Sequence, residues 1–174
     1  MSVLDEVLNK TMPNRVRSNH ALEHATLHVL QEQGNTNRLG GISDMGGFWI
    51  FGDVDTEILL LAARKARERL MDGESHLAVH PNCGTNIAVG ALAAGGLAWM
   101  GMWGTKGKPI RRLLRMPFAV LMGLVGYKVA KPLGPLVQEQ ITTNADVSRM
   151  EIIEVVRQDV MGSFAHRVTT HAVK

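Results

Sequence analysis

His20, Glu23 and His24 stand in the order HxxEH within the segment RSNHALEHATLHVL. Residues four apart on a helix lie one turn apart on the same face, so two imidazoles in this order can converge on one divalent ion. A carboxylate three positions after the first can reach a water bound to that ion. Zn²⁺ held in this way lowers the pKa of its water toward about 7, and Glu23 is then placed to take the proton as general base. On a helical wheel His20, His24 and His28 share an arc of about 80°, with Glu23 on its shoulder. His24 and His28 are also four apart but enclose no glutamate, so they rank as a spare pair. The competing reading is a set of histidines hydrogen-bonded into a polar crevice.

Two imidazoles do not complete a site, and the segment HPNCGTN supplies His80 and Cys83 as further ligands. A thiol just ahead of a helix is favoured as thiolate by the helix dipole. The plainer role for Pro81, Cys83 and Gly84 is a tight turn with a small buried filler. Ligand number then separates structure from chemistry. With His20, His24, His80 and Cys83 all bound, zinc is four-coordinate and closed; with three bound, a water position stays open, which is where Glu23 would act.

The histidine segment needs a helix to carry it, and Pro13 to Gln33 reads as one, with Gly34 placed to end it in a left-handed cap. A glycine-rich turn region, LGGISDMGG, follows, and then Phe48 to Val54, whose aromatic and β-branched content predicts a strand. Asp55 is an N-cap for a second helix ending near Gly73. Its face of Arg64, Lys65, Arg67 and Arg69 suits solvent or anionic headgroups. His76 to His80 reads as a short strand. Met150 to Arg157 and Phe164 to Val173 read as a strand pair turned at Met161-Gly162-Ser163.

Between these segments, Ile87 to Gly104 runs eighteen residues without a charge. Met116 to Tyr127 gives a second apolar stretch, extended through Val137 if Lys128 and Lys131 snorkel. Gly90, Ala94, Gly95 and Gly101 would let two helices approach closely. The alternative is a buried glycine-rich pair in a soluble protein. The expected fold class is therefore α+β: a small mixed sheet backed by two helices and interrupted by a two-helix membrane hairpin. The divisions are 1–86, carrying the histidine helix; 87–137, the hairpin with a basic loop at 105–115; and 138–174, a strand pair rejoining the sheet. Lys106, Lys108, Arg111, Arg112 and Arg115 would hold that loop in the cytoplasm. Met1 to Lys10 has no signal-peptide pattern to carry the leading segment across, so the side of the soluble part stays open.

Composition narrows the class further. The chain has 174 residues, 45% apolar and 20% charged, which suits one compact unit and excludes a disordered chain. A single cysteine excludes a disulfide framework. A net charge of +3 is too slight to imply nucleic acid.

HxxEH resembles the signature of the inverted zincins, peptidases whose two histidines bind zinc and whose enclosed glutamate activates water. The likeness is confined to those residues and carries over neither fold nor third ligand. Across most of its length the chain resembles an uncharacterised family of small bacterial membrane proteins, through NHALEHAT (Asn19 to Thr26), HPNCGTN (His80 to Asn86) and TTNAD (Thr142 to Asp146). That resemblance implies a membrane-anchored α/β unit in which the three segments converge, and it makes Asp146 a further acid, against the plainer role of turn-former with Asn144. The leading expectation is a membrane-tethered, zinc-dependent hydrolase, peptidase-like and acting near the bilayer surface, with Glu23 as base. The competing one is a non-catalytic membrane subunit or assembly factor with a structural metal or hydrogen-bonded histidines. A third is thiol catalysis by Cys83. Membrane lipid, with a membrane-protein partner or substrate, is the expected company.

Overall fold

A computed structural model describes residues 13–35, 37–160 and 163–173. The expected turn at 161–163 and the N-terminal ten residues fall wholly or partly outside them. The chain divides into two compact units, residues 1–80 with 139–174, and residues 81–138.

In the first unit, helices α1 (Asn14–Glu32) and α2 (Thr56–Met71) pack on a sheet of four strands: β1 (Gly40–Asp44), β2 (Gly47–Phe51), β3 (Met150–Val160) and β4 (Ser163–Ala172). The order is β1-β2-β4-β3. Every pairing is antiparallel, so the expected mixed sheet is corrected to an antiparallel one. Asp55 caps α2 by accepting from the Glu57 and Ile58 backbone N–H groups. Gly34, at φ 86°, follows α1 in the left-handed region that a side chain would strain. Leu22, Ala25 and Leu30 from α1 meet Leu59, Ala62 and Ala66 from α2 over Phe48, Ile50 and Val168 of the sheet, all fully buried. Alanines on both helices let their backbones approach, while β2 alternates its large side chains into the core.

Two segments depart from expectation. The glycine-rich region does not merely turn: Gly40–Asp44 is a strand, paired from Gly40↔Phe51 to Asp44↔Gly47. Residues 76–80 form no strand. Ser75–Ala78 is a turn of 3₁₀ helix, and the carbonyls of Ala78 and Val79 accept from His24 and His28 rather than from a sheet neighbour.

The second unit holds α3 (Gly84–Gly101), α4 (Pro109–Ala130) and a short α5 (Leu133–Val137). Five α-helices are thus present among the described residues. Among the described residues only α4 is long and apolar enough to cross a membrane, which corrects the expected two-helix membrane hairpin. Helix α3 has eighteen residues against twenty-two in α4, and its polar first turn, Thr85 and Asn86, lowers its mean hydropathy. Its glycines dilute the hydropathy further. Arg111, Arg112 and Arg115, expected in a loop, lie in the first two turns of α4.

Glycines set the approach of α3 to α4. A side chain at Gly126 would collide with the Ala93 carbonyl and one at Gly101 would press on the Ala119 backbone, whereas Gly95 faces open space. Leu92, Trp99, Leu113, Leu114, Val120, Leu121 and Leu124 are all exposed.

Candidate metal centre

Helix α1 is buried along most of its length, and its inward stripe is polar: Asn19, Glu23, His24 and Thr26 are each at most 4% exposed. Buried polar groups need partners, and each finds one. Asn19 donates from Nδ2 to the Asp44 carbonyl (2.7 Å) and accepts from Thr170 Oγ1 (2.7 Å). Thr26 donates to the Leu22 carbonyl one turn back. This stripe ties α1 to β1 and β4, which fixes the rotation of the helix and hence the heading of its histidines.

The His20 and His24 rings lie 4.3 Å apart, centroid to centroid. His20 sets Nδ1 at 2.9 Å from the Thr142 carbonyl, and His24 sets Nδ1 at 2.7 Å from the Ala78 carbonyl. A carbonyl only accepts, so each neutral ring carries its proton on Nδ1 and its lone pair on Nε2. Metal-ligating histidines are oriented by this kind of outer hydrogen bond. His28 is the opposite tautomer, with Nε2 at 2.9 Å from the Val79 carbonyl.

His80 lies beside His28, with 4.9 Å between centroids, and 5.7 Å from His24. Its Nε2 is 3.5 Å from the Gln31 side-chain nitrogen. Burial first, then the neighbouring His28 and His24, push its pKa down to about 4, so it is neutral at physiological pH. Cys83, in the second unit, is the N-cap of α3; its buried Sγ accepts from the Thr85 N–H at 3.4 Å. Within the first unit, His20 and His24 bring two imidazoles side by side on one largely buried helix face, a pair that could hold a metal ion.

Glu23 is bound elsewhere. Ser43 Oγ on β1 donates to its Oε2 at 2.5 Å, and a side chain at Gly41 would overlap the same carboxyl. Burial raises its pKa, against the lowering effects of the Ser43 hydrogen bond and of His20. Ser43 and Gly41 escaped sequence reasoning, because two glycines ahead of a serine read as turn.

The TTNAD segment meets α1. Arg17 donates to the Gln140 and Thr143 carbonyls, Asn144 N–H to the Arg17 carbonyl, and Ser18 to the Asp146 carbonyl. Asp146 is a turn-former: its Oδ1 accepts from Ser148 N–H and Oγ, which holds its carboxyl below the usual range. An ionised, exposed carboxylate of that kind has no proton to donate.

The fold and the donor set define a class: an α+β unit whose buried helix presents paired histidines, continuous in sequence with an apolar helical unit. The chain belongs to the family described as a domain of unknown function, DUF6391, which matches residues 15–155. It is 38% identical over 137 residues to an uncharacterized protein of Picosynechococcus sp. (strain ATCC 27264 / PCC 7002 / PR-6), covering 74% of this chain and 65% of that protein's length. No solved structure matches.

Proposed function

We propose that this chain is a membrane-anchored zinc-binding protein in which His20, His24 and Cys83 are ligands, and that it works as a non-catalytic membrane subunit or assembly factor with a structural ion. The observation that carries this reading is the matched pair of hydrogen bonds from His20 and His24 Nδ1 to backbone carbonyls, which puts both lone pairs on Nε2. Imidazole and thiolate together suit zinc. His80, three residues before Cys83, is the fourth ligand of a closed site. Glu23 supports a structural role, since Ser43 and the close backbone at Gly41 make it a tie between α1 and β1. Helix α4 is the anchor, with membrane lipid around its exposed apolar side chains.

A second reading, a peptidase-like hydrolase at the bilayer surface, rests on the upward shift of the Glu23 carboxyl by burial, the direction a general base working near neutral pH requires. Here three ligands leave one position open for water.

Cobalt substitution tests the metal reading. Co²⁺-loaded protein should show a thiolate charge-transfer band that Cys83→Ser abolishes and ligand-field bands that His24→Ala abolishes; neither band in the wild type refutes it. Glu23→Gln then separates the roles. Unchanged cobalt spectra with an unchanged set of co-purifying membrane proteins support the structural ion, whereas unchanged spectra with loss of a peptide-hydrolysing activity present in the wild type support the hydrolase.

A further inference from the structure

The second unit contains a cavity of about 430 Å³, lined by residues of its own helices and of the turn that leads into them. Its walls are of two kinds. Ile87, Gly90, Tyr127 and Pro135 make an apolar part, while Asn82, Asn86 and Lys131 make a polar part. Pro81 and Cys83 complete the lining, in which Lys131 is the single lysine, arginine, aspartate or glutamate. The apolar part depends on a glycine, because any side chain at Gly90 would strike the Tyr127 ring, which lies against that stretch of α3.

The polar part is braced. Asn86 Nδ2 donates to the Pro81 carbonyl at 2.7 Å, and its Oδ1 accepts from Gln138 at 2.6 Å. A side chain at Gly134 would overlap that same amide. The Asn86 amide therefore holds the wall in place, and a ligand's charge is left to Lys131. That residue follows the last residue of α4, the one helix among the described residues long and apolar enough to cross a membrane, and Tyr127 stands one turn before it. Lysine and tyrosine at a membrane helix end belong at headgroup depth, which sets the cavity's polar part at the interface and its apolar part on the hydrocarbon side.

We propose that this cavity binds a single-chain carboxylate, a fatty acid, with its head group at Lys131 and its chain against Ile87, Gly90, Tyr127 and Pro135. The size selects one chain. At roughly 30 Å³ per methylene, about the room of a water molecule, the volume holds on the order of a dozen methylenes with a head group, which excludes a two-chain phospholipid. The charge selects the head: the one ionisable side chain with a fixed charge is positive, so a neutral or cationic amphiphile of equal length gains nothing there. The site requires no metal; it rests on α4 being the membrane anchor and goes beyond the reading of the histidine helix.

The test uses the full chain in bilayer nanodiscs of uncharged lipid and a diazirine-labelled laurate, with cross-links mapped by mass spectrometry. Labels are expected in the peptides containing Ile87 to Gly90 and Tyr127 to Pro135. Unlabelled laurate should compete and dodecanol should not. Lys131→Ala should raise the laurate needed for half-competition about tenfold, with Lys131→Arg close to the wild type. Gly90→Leu drives its side chain against the Tyr127 ring, which closes the apolar part, and should remove the Tyr127-region label; if that variant fails to insert, Ile87→Phe, which narrows the same part, serves the same purpose. Labels spread over the outer residues Leu92, Leu113 and Leu124 and indifferent to competitor would overturn the proposal, as would equal competition by dodecanol.

Discussion

His20 and His24, one helical turn apart, both turn Nδ1 onto a backbone carbonyl, and those carbonyls come from distant parts of the chain: Thr142, 122 residues away, and Ala78, 54 residues away. One helix face therefore has its ring orientations set from two sides. Removing a ring and removing the backbone behind it are different experiments, and the fold makes several separable predictions around this face.

The first concerns the tie between Glu23 and Ser43. Ser43→Ala removes the donor to a buried carboxyl and should destabilise the protein by about 1–3 kcal/mol. Gly41→Ala should do at least as much harm, since its methyl would occupy the place of the carboxyl. Thermal unfolding in a mild detergent measures both, and Ser43→Thr should restore most of the loss. A Gly41→Ala protein as stable as the wild type contradicts the close packing described.

The second concerns pH. His166 is fully buried on β4, with Nε2 at 3.1 Å from Thr56 Oγ1. Burial, then Arg157, lowers its pKa, and Asp55 and Asp53 oppose this only in part. With the folded value below the unfolded one, the unfolded chain takes up the proton first. The contribution is complete above about pH 6.5 and declines as pH falls below it. His80 contributes in the same direction, down to its folded pKa of about 4. The unfolding temperature should therefore drop between neutral pH and pH 5, and His166→Gln should reduce the slope of that drop. Equal slopes would contradict the burial argument.

The third concerns the anchor. Val120 and Leu121 are exposed near the middle of α4. An arginine at the centre of a spanning helix costs about 2.5–3.5 kcal/mol on insertion scales. Leu121→Arg should shift protein from the carbonate-resistant membrane fraction toward the soluble or aggregated one, whereas Lys106→Arg should not. Full membrane retention of Leu121→Arg would mean that α4 does not span.

The sequence carried its message unevenly. Helices α1 and α2 could be read because their ends are chemically marked, by Gly34 after one and Asp55 before the other. Strands β3 and β4 could be read from their β-branched residues. Strand β1 could not: Gly40 and Gly41 have no side chains to alternate, and the strand is defined by the edge that β2 offers and by the room Glu23 needs. Residues 76–80 alternate like a strand, yet two of their carbonyls are used by histidines of α1, a demand invisible in the local pattern. In the run from Ile87, the absence of charge is not enough for a span, because the glycines and the polar first turn of α3 lower its mean hydropathy. The pairing of His20 with His24 follows from helical spacing alone, but the carbonyls that select their tautomers are brought in by tertiary contacts.

The central claim is tested most directly by the zinc content of the purified chain after saturation with zinc and removal of excess by gel filtration. About one zinc per chain is expected in the wild type, falling toward zero in His20→Ala, His24→Ala and Cys83→Ala and unchanged in His171→Ala, an exposed histidine on β4. A wild-type protein without zinc, or zinc unaffected by loss of either paired histidine, would contradict the account.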